Sequence, residues 1–106
     1  MPDREFTPRS GNVFADLNLP NADDLLARAE LAAKIIAEIQ RRRLTQSQAA
    51  AILGIDQPKI SALKQGKLSG LSIERLIRFL LALGRDVEIT VKRKARSRPA
   101  AMLRVA

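Results

Sequence analysis

A chain of 106 residues, 46% of them apolar, suits one domain with a modest core. Its 19 Lys and Arg against 11 Asp and Glu give a formal charge of +8, and it has neither histidine nor cysteine. That composition excludes disulfides, thiol nucleophiles, imidazole acid–base chemistry and His- or Cys-ligated metals, so no enzyme, metal or cofactor is expected.

No run of roughly 18 apolar residues is available to cross a membrane. The start, Met1-Pro2-Asp3-Arg4-Glu5-Phe6, lacks the apolar segment of a secretory signal. A cytoplasmic location, associated with the nucleoid, is expected. The charge is unevenly spread: residues 1–40 hold four basic and seven acidic side chains, 41–67 six and one, 68–91 three of each, and 92–106 six and none. Two basic patches result, and phosphate backbones attract such patches through counterion release.

Residues 1–20 read as an N-terminal arm. Prolines, a glycine and mixed charge make 1–11 a flexible lead-in, and Val13, Ala15, Leu17 and Leu19 alternate as in a short strand or extended arm, with Phe14 facing the other way. Pro20 ends it. Asn21-Ala22-Asp23-Asp24 opens a long helix with a cap and acidic residues in the first turn. Leu25, Ala29, Ala32, Ala33, Ile36 and Ile39 form its expected apolar stripe. Arg41, Arg42 and Arg43 close it with cations at the negative end of the dipole, with a phosphate contact as an added role.

Residues 45–66 read as two short helices joined by a tight turn. Thr45 caps the first, Gly54 reverses the chain, Asp56 caps the second, and Pro58 sits in its first turn, where a missing N–H costs nothing. Ala49, Ile52, Leu53, Ile55, Ile60 and Leu63 are spaced to be buried, while Ala49 to Ala51 let the helices cross closely. Gln57, Pro58, Lys59, Ser61, Ala62 and Lys64 are left for solvent or a partner. A short helix showing amides, hydroxyls and lysines against a buried companion is the geometry that enters a DNA major groove.

A loop hinged at Gly66 and Gly70 and containing Lys67 leads to Ser72, the expected cap of another helix. That helix buries Ile73, Leu76, Ile77, Leu80 and Leu83 and stops at Gly84, with Arg75 and Arg78 on its solvent side. From Asp86 to Lys92 the pattern alternates strictly, Val87, Ile89 and Val91 on one face and Glu88, Thr90 and Lys92 on the other, which predicts a half-buried β-strand. A lone strand needs a partner: the 12–19 segment, or the same strand of a second subunit in a homodimer. The dimer is favoured, because readers of this kind pair two recognition helices. Residues 93–106 read as a basic flexible tail.

The residues Leu44-Thr45-Gln46, Ala49-Ala50, Leu53-Gly54-Ile55, Gln57, Ile60-Ser61, Leu63 and Gln65-Gly66 resemble the helix-turn-helix of the Cro and phage-repressor-like, or XRE, family. With the flanking helices the resemblance covers about residues 21–84. It implies an all-α, lambda-repressor-like bundle of four to five helices, here with a short C-terminal β-strand over 85–92. Leu17-Asn18-Leu19-Pro20 and Gly84-Arg85-Asp86-Val87-Glu88-Ile89 are further similar to a subgroup that includes HigA-type antitoxins.

The resemblance implies a sequence-specific transcriptional regulator, a repressor acting as a homodimer on double-stranded DNA. The alternative it carries is an antitoxin that neutralises a small toxin protein, with Val13, Phe14 and Leu17 as anchors in the acidic N-terminal part. By the family pattern Gln46 donates to a phosphate, Gln57, Pro58, Ser61 and Ala62 face base edges, and Lys59 and Lys64 meet phosphates or guanines; Thr45 and Lys67 complete the expected DNA-facing set. Pro58 and Ala62 stand where long amides can occur. Direct readout would then rest on Gln57, Lys59 and Ser61, with more left to DNA shape and half-site spacing. The carboxylates Asp23, Asp24, Glu30 and Glu38 read as helix capping and a solvated face.

Overall fold

A computed structural model describes residues 21–106. Four helices follow in order: α1 (Asn21–Arg41), α2 (Gln46–Leu53), α3 (Gln57–Lys64) and α4 (Ile73–Ala82). The helix-turn-helix is α2 and α3. The arm over residues 1–20, with Val13, Phe14 and Leu17, lies outside the described residues.

The local chemistry sets the helix ends. Thr45 forms a full capping box: its hydroxyl accepts from the Gln48 N–H at 3.0 Å, and its own N–H donates to the Gln48 side chain at 2.8 Å. Ser72 caps α4 by accepting from the Arg75 N–H. Asp56 is the N-cap residue of α3, but its carboxylate makes no capping hydrogen bond. Gly54, at φ 70°, ends α2 in the left-handed region that favours glycine.

The core forms where α1 lies mainly on α4 and also on α3, while α2 and α3 pack on each other. Ala27, Leu31, Ala32, Ile35 and Ile39 of α1 meet Ala49, Ala50 and Leu53 of α2, Ile60 and Leu63 of α3, and Ile73, Leu76, Phe79 and Leu80 of α4, with Leu71 and Leu83 closing the loop ends. Ala49 is fully buried, as close crossing of α2 and α3 requires. Arg28 ties the α3–α4 loop to α1 by donating to the carbonyls of Leu68 and Leu71 at 3.3 and 3.4 Å.

Several expectations need correction. The buried stripe of α1 runs through Ala27, Leu31, Ile35, Glu38 and Ile39, so Leu25, Ala29 and Ala33 of the expected stripe are exposed. Ala51 and Ile52 are exposed as well, and Phe79, absent from the expected core of α4, is buried. Glu38 belongs to no solvated face: it is buried.

The C-terminal β-strand is not formed. Among the described residues there is no strand, and residues 85–95 have no regular secondary structure. The alternation of Val87, Ile89 and Val91 supplies a face, but a strand also needs a neighbouring backbone ladder, and no described segment provides one. Val87 is half-buried while Ile89 and Val91 are exposed. Beyond them the chain returns to α1. Leu103 and Val105 pack against the core, and the Leu103 N–H donates to the Asp23 carboxylate at 3.2 Å.

Candidate nucleic-acid interface

Two buried side chains, Ile60 and Leu63, fasten α3 to the bundle. They lie three residues apart on one side of the helix, so helical geometry turns Pro58, Ser61, Ala62 and Gln65 to the opposite side. Gln57 and Lys64 flank that ridge on one edge and Lys59 on the other. Gln57, Pro58, Lys59, Lys64 and Lys67 are exposed, and Ser61 and Ala62 are half-buried. The expected DNA-facing residues of α3 thus form one accessible surface, and Lys67 lies in the loop that follows it.

Gln65 was not among the expected site residues, yet it is exposed and occupies the outermost ridge at the C-cap of α3. The signal was available in the spacing 58, 62, 65, which repeats at one helix face. It supplies a long amide on a ridge whose other members are Pro58, Ser61 and Ala62.

At the start of α2, Thr45 is exposed and Gln46 half-buried. The capping box consumes the Thr45 hydroxyl and the Gln48 amide, which leaves Gln46 and Ser47 as the first-turn side chains outside it. The dipole of the helix favours an anion here. Along the sequence the 41–67 segment carries the arginines closing α1, the lysines of α3 and Lys67. Asp56 is the sole acidic residue from 41 to 67.

The arginines at the end of α1 have a structural partner. Arg41 donates through Nε and Nη2 to Glu38 at 3.2 and 2.5 Å, Arg42 through Nε at 2.8 Å, and Arg85 through Nη1 at 3.1 Å. Arg41 foremost, together with Arg85 and Arg42, holds the Glu38 carboxyl down at about 2 against the opposing effect of burial, and Glu38 in turn raises Arg41. On α4, Arg75 lies over the Phe79 ring at 5.5 Å, and the exposed Arg78 pairs with Glu74 at 2.8 Å. Among the described residues no cluster of acidic side chains is arranged to hold a metal ion, and no helix is long and apolar enough to cross a membrane.

The helix-turn-helix domain family matches residues 13–92. A solved structure described as an XRE family transcriptional regulator is similar to this chain at 49% identity, with a TM-score of 0.76, over 82% of this chain and 98% of its own. No curated protein matches. A family match over most of the chain, together with that identity across nearly the whole of the relative, places the protein: it belongs to the helix-turn-helix domain family and, within it, to the XRE family.

Proposed function

We propose that this protein is a DNA-binding transcriptional regulator that represses as a homodimer, inserting α3 into the major groove of each half of an inverted-repeat operator. The observation that carries the reading is the accessible polar and cationic surface of α3, held by Ile60 and Leu63 with its outer ridge uncovered. Gln57, Lys59, Ser61 and Gln65 supply donors and acceptors for base edges, Pro58 and Ala62 supply apolar contact for a thymine methyl, and Gln46, Lys64 and Lys67 meet phosphates.

Dimerisation is supported by apolar side chains left in solvent. Ile89 and Val91 are 77% and 91% exposed, and their meeting across a two-fold axis would bury them. The two copies of α3 would then lie about one DNA turn, roughly 34 Å, apart. An antitoxin role finds no support among the described residues, because its proposed anchors Val13, Phe14 and Leu17 lie outside them.

Selection of bound sequences from random duplex DNA tests the reading directly. The expected product is an inverted repeat with fixed half-site spacing, lost when Gln57, Lys59 and Lys64 are replaced together by alanine. Recovery of no enriched sequence, or enrichment untouched by the triple replacement, would overturn it.

A further inference from the structure

One carboxylate joins three parts of this molecule. Glu38 is 1% exposed, and the guanidiniums of Arg41, Arg42 and Arg85 converge on its two oxygens. Arg42 also donates to the carbonyl of Leu83, the C-cap residue of α4. Glycine at position 84 leaves room for this arrangement, since a Cβ there would lie 3.0 Å from Arg42 Nη2. The end of α1, the end of α4 and the residue at which the chain leaves the bundle are therefore fastened at a single point.

Two segments leave that point, each running toward the C-terminus. From Arg43 and Leu44 the backbone runs directly into Thr45, the N-cap of α2 and the start of the reading unit. From Arg85 it runs into Val87, Ile89 and Val91. Arg85 has two anchors: its N–H donates to the Leu80 carbonyl at 3.0 Å, and its guanidinium reaches Glu38 at 3.1 Å. The backbone bond and the guanidinium contact together fix Arg85, just ahead of Val87, which packs against the core.

We infer that the Glu38–Arg85 contact is a positioning device that fixes the direction of the 87–91 segment relative to α3, and so selects the half-site spacing a dimer accepts. This rests on the homodimer reading given above. A dimer joined beyond Arg85 has its two recognition helices separated by an amount that the exit angle at Arg85 controls. A rigid exit allows both helices to engage at one spacing; a pivoting exit accepts several. The Arg85 side chain is 57% exposed, and without it the buried Glu38 carboxylate still has Arg41 and Arg42 as partners, so R85A is expected to remain folded.

The test uses the full chain as wild type, R85A, R85K and E38Q, titrated against a single half-site and against operators whose spacer is shortened or lengthened by one and two base pairs. Wild type is expected to prefer one spacing on the order of tenfold or more, because only matched geometry permits both half-sites to be held together. R85A should bind the single half-site as wild type does, with its spacing preference reduced to less than about threefold. R85K, which keeps the charge without the planar fork, should fall between, and a folded E38Q should behave as R85A. Full retention of the wild-type preference by R85A overturns the inference, as does loss of half-site binding by R85A. A wild type that binds every spacing like a lone half-site overturns the homodimer reading, and this inference with it.

Discussion

Arg43 and Gly84 occupy the same place in their two helices. Each follows the last residue of its helix cap in a left-handed conformation, at φ 55° and 80°, and each lets the next residue bond back into the helix. The Leu44 N–H reaches the Ile39 carbonyl and the Arg85 N–H the Leu80 carbonyl, both at 3.0 Å. Gly54 and Gly66 end α2 and α3 in the same region of backbone space. Among these four positions only residue 43 carries a side chain, and a left-handed L-residue is strained. Replacing Arg43 with glycine should raise stability by about 0.5–1 kcal/mol, read as an increased urea midpoint.

The glycines themselves give the converse pair. Gly54→Ala has open space for its Cβ, so the expected loss of about 1–2 kcal/mol comes from backbone strain alone. Gly84→Ala meets the same strain and also presses on Arg42 Nη2. It should cost more than Gly54→Ala, and the excess should vanish in an Arg42→Ala background when both are measured by denaturant unfolding.

Glu38 predicts an acid-sensitive fold. Its carboxyl is held at about 2 in the folded chain against an ordinary 4.5, so between those values the unfolded chain takes up a proton that the folded chain refuses. Its contribution is complete above pH 4.5 and is lost as pH falls towards 2. Glu38→Gln should lower the urea midpoint at pH 7, and the gap from wild type should narrow steadily between pH 4.5 and 2. A gap that stays constant over that window would show that Glu38 does not titrate as described.

Lys59 and Lys64 flank the outer ridge of α3. Replacing both with alanine should weaken operator binding and reduce the slope of log affinity against log salt by about 0.9 for each phosphate that is no longer neutralised. Equilibrium titrations at several salt concentrations, with circular dichroism to confirm folding, measure both quantities.

Asp56 predicts an effect of opposite sign. Its carboxylate stands at the N-terminus of α3 without accepting a capping hydrogen bond, in a segment otherwise carrying only positive charge. There is no capping hydrogen bond to lose, and Asn is as well suited to an N-cap position as Asp. Asp56→Asn should therefore leave the thermal midpoint nearly unchanged and tighten DNA binding about two- to fivefold, the scale of one exposed charge interaction.

The turn chemistry of this fold was legible in the sequence because it depends on single residues and their immediate neighbours. Thr45, Ser72, Gly54 and Gly84 needed no knowledge of the tertiary structure, whereas the Gln48 half of the capping box was not read and Asp56 makes no capping hydrogen bond. The buried face of α1 was not legible in the same way. Its alanines, with Leu25 and Leu26 side by side, offer apolar residues in several directions, and the true stripe passes through Glu38. No apolar periodicity accepts a carboxylate, and one of the three guanidiniums that pair this one, Arg85, lies 47 residues away. The 86–92 strand failed for a related reason: alternation describes a face, whereas a ladder is made by something beside it. On α3 the outward residues were legible since Ile60 and Leu63 alone determine which side is inward, and the same geometry adds Gln65.

The return of the chain end to α1 changes what a deletion there would report. Leu103 lies on the bundle beside Asp23, and Val105 shares a shallow recess with Glu30, Ala33 and Lys34. Trimming the last residues to strip positive charge would also uncover oily surface, and the two consequences would arrive together. Exchanging Arg93, Arg96 and Arg104 for glutamine while sparing the two aliphatic plugs separates the electrostatic contribution of the terminus from its adhesive one.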